Sequence, residues 1–165
     1  MLMAVVYISL GSNMCRRREN CLLALDELGQ APVGSLTGLS AFYLSQPVDC
    51  PRQNWFVNAV VRLETRLDPF ALLEQIKRIE IQLGRSMNAV RFGPRIIDLD
   101  IVLYDDQVLE MPELTIPHPR MHKRRFVLQP ICDIDDCIVH PVFKEPLTRL
   151  LARIPESGQK LIRIA

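Results

Sequence analysis

The sequence carries almost no net charge, +1 at pH 7, so no global basic field draws it to nucleic acid, and any hold on anions must come from locally placed arginine. It has no C-x-x-C pair. Cys15, Cys21, Cys50, Cys132 and Cys137 are an odd number without zinc or redox spacing, which reads as reduced thiols in a cytoplasmic protein. It has no apolar run long enough to span a membrane. The opening MLMAVVYISL stops at GSN without a signal-type cleavage region and is expected to be a buried first strand. Repeats, low-complexity tracts and long Ser/Gly linkers are missing too, so residues 1–165 read as one domain, expected to act as a monomer. The SLGSN turn lacks the G-x-x-x-x-G-K-[ST] spacing of a phosphate loop. No Ser/His/Asp or Cys/His spacing supports a nucleophile, which disfavours covalent catalysis.

What is present is an ordinary globular balance, 48% hydrophobic and 24% charged, arranged as alternating strands and helices. A first strand over residues 3–10 precedes RRRENCLLALDELG, where Leu22, Leu25 and Leu28 recur at helical spacing and Gly29 is a stop. Two strand-like runs follow, SLTGLSAFYL and WFVNAVVRLET. In the second, Val57, Ala59, Val61 and Leu63 share one face, and Phe56 and Asn58 look away from it. DPFALLEQIKRIEIQLG then has an Asp cap at 68, Pro69 at the first helical position, apolar residues at 72, 73, 76, 79 and 83, and Gly84 at its end. A further strand follows, and the Pro-rich C-terminal third allows only short elements. The order β-α-β-β-α-β predicts an α+β fold, a ferredoxin-like sandwich with an antiparallel sheet. Helices cover one of its faces and the other is left for a site.

The chemistry concentrates in RFGPRIIDLDIVLY, residues 91–104. Strand alternation puts Ile97, Leu99, Ile101 and Leu103 on one face and Asp98, Asp100, Val102 and Tyr104 on the other, so two carboxylates point the same way. At roughly 6.5 Å between Cα atoms they can hold divalent cations, and a few hard oxygen ligands suit Mg²⁺, which completes its shell with phosphates. The alternative is an edge strand with a solvated outer face, which the apolar flanks IIDLDIVL disfavour. Arg85, Arg91, Arg95, Arg120, Arg124 and Arg125 surround this strand, and guanidinium forks match phosphate oxygens. In HPRMHKRRF, His118 and His122 are four apart, but Pro117 and Pro119 spoil a metal-binding helix, so His118 reads as a polar or phosphate contact. His140 reads as a loop histidine.

RFGPRIIDLDIV resembles the signature of the 6-hydroxymethyl-7,8-dihydropterin pyrophosphokinase family, and the resemblance runs in order through YISLGSN, FYLSQPV, NWFVNAVVRLET, RIEIQLGR and LTIPHPRMHKRRFVLQP, about residues 4–131. It implies transfer of diphosphate from ATP to a pterin alcohol in folate biosynthesis, with AMP as the other product. It implies two Mg²⁺ ions on Asp98 and Asp100, catalytic Arg85 and Arg95 beside that pair, and ATP contacts at Glu80, Arg85, Arg91, Arg95, Ile101, Thr115, His118 and Arg124. It also implies a pterin slot of Ser45, Pro47, Val48, Phe56, Asn58, Phe92 and Phe126. A flat heteroaromatic wants ring faces about it and a polar edge-reader such as Asn58. The chain departs from the family pattern at Phe92, Met87, Pro119 and Phe56, where Trp, a basic residue, an aromatic and Tyr are frequent. The segment RSMNAVRFGPR, residues 85–95, shows neither helical nor strand periodicity and is expected to be a mobile active-site loop that closes over ligands.

Two rivals follow from the same residues. One is another Mg²⁺-dependent nucleotidyl or phosphoryl transferase, separated by whether AMP or pyrophosphate is released. The other is an RNA-binding module on the open sheet face, which would need aromatic and basic residues where this strand carries Asp98 and Asp100.

Overall fold

The first strand, β1 (Ala4–Ser12), is buried along all but one of its residues, because it lies between β4 (Phe56–Thr65) and β5 (Asp98–Tyr104), antiparallel to both. A strand with neighbours on both edges and cover on both faces has to be apolar throughout, which is why AVVYISL shows little alternation. The computed structural model describes residues 3–48, 52–85 and 93–164. Between β1 and β4 come α1 (Arg17–Leu28), β2 (Ser35–Leu39) and β3 (Phe42–Ser45). After β4 comes α2 (Pro69–Gln82), and after β5 a small hairpin of β6 (Leu109–Glu110) and β7 (Thr115–Ile116), then α3 (Arg125–Ile134), α4 (Leu147–Ala152) and β8 (Leu161–Ile164). The sheet runs β5-β1-β4-β3-β8, with β2 also on β4. With β2 and β3 counted as one interrupted strand, this is the antiparallel ferredoxin-like order the sequence predicts.

The interruption corrects the reading of SLTGLSAFYL as a single run. Ser40 sits between the two pieces, where its N–H donates to the Val60 carbonyl (3.0 Å) and its Oγ accepts from the Val60 N–H (2.9 Å). The hydroxyl keeps the ladder satisfied while the backbone shifts register.

α2 forms as its sequence predicts. The Asp68 carboxylate accepts from the Phe70 and Ala71 N–H groups at 2.9 and 3.0 Å, Pro69 opens the helix, and Gly84 ends it at φ +98°, where a side chain would be strained. In α1 the buried stripe is Cys21, Ala24, Leu25 and Leu28. Leu22 is 36% exposed, because the stripe that repeats at three and four residues passes through its smaller neighbour Cys21. α1 and α2 close one core over Val6, Ile8, Leu10, Val57, Ala59, Val61, Leu63, Leu99 and Ile101.

The other sheet face is not left bare. α3 and α4 close a second core there over Tyr7, Val60, Val102 and Leu103, with Met121, Leu128, Ile131 and Leu147. Among the described residues, the part of this face beyond α3 stays open. β5 feeds both cores because its register against β1 jumps from Leu103 opposite Tyr7 to Ile101 opposite Ile8. Val102 is the extra residue of a bulge, so Leu103 joins the second core and Tyr104 the first, opposite to the faces strict alternation assigns. Asp98 and Asp100, ahead of the bulge, keep the common face.

His140 is a buried structural residue rather than a plain loop histidine. At 3% exposure its Nδ1 accepts from the Val142 and Phe143 N–H groups at 3.2 and 3.3 Å, and its ring stacks on Phe143 at 4.3 Å. Burial, then the neighbouring His122, pushes its pKa below the ordinary 6.5, and burial does the same to His122. The unfolded chain takes up protons near pH 6.5 that the folded chain resists, so stability falls as pH drops through that value. His140→Asn keeps an acceptor for the two N–H groups and should flatten the decline between pH 7 and pH 5.5, read as urea midpoints at the two pH values.

Candidate functional site

The open end of the sheet's second face is a cleft of ≈ 210 Å³, and strand register sets its floor. Asp98 on β5 is opposite Gly11 on β1, which is opposite Asn58 on β4. One step along, Asp100 is opposite Ser9. Asp98 and Asn58 are therefore two strand spacings apart, roughly 10 Å, with a glycine between them. A Cβ on Gly11 would stand 3.0 Å from Asn58 Oδ1, so the missing side chain is what lets Asn58 lie flat on the floor. Asn58 is 3% exposed and its Nδ2 donates to Ser45 Oγ at 2.6 Å, which fixes the orientation of its amide.

At the Asn58 end, Ser45, Gln46, Pro47, Val48, Gln53, Phe56 and Phe126 make the walls. At the carboxylate end stand Gly93, Arg95, His118, Arg120 and Arg124. The Arg124 guanidinium lies over the Phe126 ring at 5.4 Å, a cation–π contact joining the two ends. His118 is held by its N–H on the Val102 carbonyl (2.9 Å), and its Nδ1 accepts from the Arg120 N–H (3.1 Å). Burial lowers its pKa. Asp100 opposes that shift, and Arg124 and Arg120 add to it, so its ring faces the cleft neutral. His122 points elsewhere, edge-on to His140, so the two histidines four apart share no metal.

Of the acidic pair, Asp98 is held by two arginines. Arg95 donates to Asp98 Oδ2 at 2.5 Å and Arg85 pairs with Asp98 Oδ1 at 3.0 Å. Arg85 also pairs with Glu80, near the end of α2. Glu80 is 1% exposed and lies beneath the cleft. It accepts from the Leu99 N–H at 2.7 Å and from Lys77 Nζ at 3.0 Å. Burial pushes its carboxyl up, against Lys77, the Leu99 N–H and Arg85. Ile101 likewise turns its side chain into the first core, since it lies on the strand face opposite Asp100. Thr115 belongs to the β6–β7 hairpin. Neither lines the cleft among the described residues. Arg91 and Phe92, and most of the loop expected to move, lie outside the described residues.

Asn13 enters the sequence reading only as the last residue of the SLGSN turn. It is 1% exposed and clamps the backbone of Arg95, donating its N–H to the Arg95 carbonyl (3.1 Å) and accepting the Arg95 N–H on Oδ1 (2.7 Å). Its Nδ2 reaches Gln53 Oε1 (2.9 Å). Ser9, Gly11, Gln46 and Gln53 were not singled out. Ser9 and Gly11 had a signal, two small residues at period two in an otherwise apolar strand. Gln46 and Gln53 had none.

A family model described as 7,8-dihydro-6-hydroxymethylpterin-pyrophosphokinase matches residues 7–136. The chain is similar to the 2-amino-4-hydroxy-6-hydroxymethyldihydropteridine pyrophosphokinase of Pseudomonas aeruginosa, 40% identical over 153 residues, 93% of this chain and 93% of that one. It is also similar to the enzyme of the same name from Bacillus subtilis, 42% identical over 130 residues, 79% of this chain and 77% of that one. Among solved structures, wild-type HPPK-DHPS of Plasmodium falciparum shares the fold at TM-score 0.71 and 16% identity. The match covers 92% of this chain and 44% of that longer one.

Removing Glu80 would leave the Leu99 N–H and the Arg85 guanidinium without their buried acceptor. Glu80→Ala should lower unfolding stability by about 3 kcal/mol, and Glu80→Gln, which retains an acceptor for Leu99, by distinctly less. Urea titration checks this through a shifted midpoint at unchanged slope.

Proposed function

The chain belongs to the 7,8-dihydro-6-hydroxymethylpterin-pyrophosphokinase family, and from that premise we propose how the cleft divides between its two substrates. The reaction is transfer of pyrophosphate from ATP to hydroxymethyldihydropterin, a step of folate biosynthesis. In the proposed arrangement the pterin lies at the Asn58 end, between Phe56 and Phe126, with Phe92 as a further ring face from the loop. Its polar edge is read by the Asn58 amide that Ser45 orients, and Pro47 and Val48 complete the slot. The polyphosphate lies at the Asp98 end, against Arg95, His118 and Arg124, with Arg85 and Arg91 joining from the loop.

The single observation that carries this reading is the cleft floor. Two carboxylates and a fixed amide face one cavity, separated by about the length of a flat bicyclic ring and its hydroxymethyl arm. The donor set fits Mg²⁺: hard carboxylate oxygens on one face, open to the cleft, with space for waters and phosphate oxygens. Asp98 and Asp100 would hold two such ions, which when bound neutralise phosphate charge and polarise the transferred group. A cation held by Asp98 would take the place of its guanidinium partners, which would leave Arg85 and Arg95 free for the polyphosphate. The pterin hydroxymethyl oxygen forms its bond to the β-phosphorus as the bond to the α–β bridging oxygen breaks, so AMP leaves and the hydroxyl proton passes to solvent. This chain's contribution is alignment and charge rather than a strong base. Glu80, Ile101 and Thr115, which do not line the cleft, are proposed to stand near the nucleotide.

The same reading takes the chain as one domain working as a monomer in the cytoplasm. That both cores are built on one sheet supports a single cooperative unit. Among the described residues no helix is long and apolar enough to cross a membrane.

Asp98→Ala and Asp100→Ala should each lower kcat by about a thousandfold or more at saturating Mg²⁺, measured by chromatography of the nucleotide product. Release of AMP by the wild-type chain is the expected result. Pyrophosphate in its place would move the assignment to nucleotidyl transfer, and near-normal turnover in either variant would remove the carboxylates from the metal site.

A further inference from the structure

The C-terminal segment follows the last motif by which the sequence could be read, and it makes two sets of contacts that meet behind the cleft. The Gln159 side chain brackets Arg124: its Oε1 accepts from the Arg125 N–H at 2.9 Å and its Nε2 donates to the Lys123 carbonyl at 2.9 Å. One amide thus fixes the backbone on both sides of Arg124, as a neighbouring strand would, and it caps the start of α3, which has no side-chain cap of its own. Gln159 is itself held by its N–H on the Glu156 carbonyl (3.2 Å). Arg125 ties the same segment down through the Ile154 carbonyl (3.3 Å) and Glu156 Oε1 (3.0 Å).

The next residues reach the opposite wall. The Lys160 carbonyl accepts from the Gln46 N–H at 3.1 Å, and β8 then pairs with β3, Leu161 opposite Ser45 and Ile164 opposite Phe42. Ser45, Gln46 and Pro47 line one side of the cleft, and Arg124 and Phe126 the other. Residues 159–161 therefore join two walls that are some eighty positions apart in the chain.

We propose that Gln159 is a positioning residue for the reaction, setting the backbone of Arg124 and Phe126 against the Ser45–Pro47 wall so that the guanidinium meets the polyphosphate. The inference rests on the assignment of Arg124 to ATP made above. Gln159 touches no substrate. Its effect passes through two hydrogen bonds to backbone groups, and it should appear in affinity for the nucleotide rather than only in stability.

The test is a double-mutant cycle on the full chain, with binding of a non-hydrolysable ATP analogue in Mg²⁺ read by calorimetry well below the melting temperature. Gln159 is partly exposed, so Gln159→Ala should fold. It is expected to weaken analogue binding about tenfold, and to weaken it no further when Arg124 is already alanine. A merely structural role would give the same loss in both backgrounds. That result would overturn the proposal, as would Gln159→Ala binding within about twofold of wild type. If instead Arg124→Ala binds like wild type, the assignment of Arg124 fails, and the brace falls with it. A weakened Arg124→Ala beside an unaffected Gln159→Ala sinks the brace alone.

Discussion

The site depends on keeping three carboxylates close together at one end of β5, the edge strand of the sheet beside β1. Glu80 lies beneath β5 and Asp98 and Asp100 lie on it, where low dielectric makes like charges expensive. The fold meets that cost with fixed cations, Lys77 and Arg85 on Glu80 and Arg85 and Arg95 on Asp98. Arg85 is shared, so the buried Glu80 and the cleft-facing Asp98 are held by one guanidinium. The Leu99 N–H, between the two functional carboxylates, is drawn down onto Glu80. The free protein therefore keeps the strand's acidic end in place by ion pairing.

The apolar framework was legible from the sequence because it obeys simple periods. α2 shows its cap, its stripe and its stop in consecutive letters, and the alternation of β4 places Asn58 and Phe56 on the cleft side and Val57 and Ala59 in the first core. What was not legible arises where one residue breaks a period. Val102 bulges and reverses Leu103 and Tyr104, Ser40 splits one strand into two, and Cys21 displaces Leu22 from the core. Each is a choice made by tertiary contacts, which local spacing cannot report. The side chains that hold the site from outside are harder still. Glu80 sits in RIEIQLG like any helical acid, and Gln159 like any loop amide. Their partners are backbone groups 19 and 36 positions away.

The two cores serve different purposes. The first, under α1 and α2, is closed and carries Leu99 and Ile101, so the inner face of β5 is anchored in dry packing while its outer face carries charge. The second is built on the cleft face by the C-terminal third, and its edge is the cleft wall: Phe126 packs against that core and lines the cleft. Residues that read only as a Pro-rich tail of short elements thus complete the site. The expectation of a wholly open sheet face overlooked them because short helices leave little periodic signal.

The sheet itself argues against the nucleic-acid rival. A ferredoxin-like sheet that binds RNA presents aromatic rings and cations for stacked bases and phosphates. Here the same positions hold Asp98, Asp100, Ser9, Gly11 and Asn58, and the cations stand at the rim, on Arg95, Arg120 and Arg124. A long polyanion laid across that floor would meet Asp100, and Asp98 as well once it displaced Arg85 and Arg95. A short polyphosphate arriving with its own divalent cations would not, because each displaced guanidinium is exchanged for metal on one side and for phosphate on the other. The fold is common to both functions. The sign of the charge at two alternating positions of β5 decides between them.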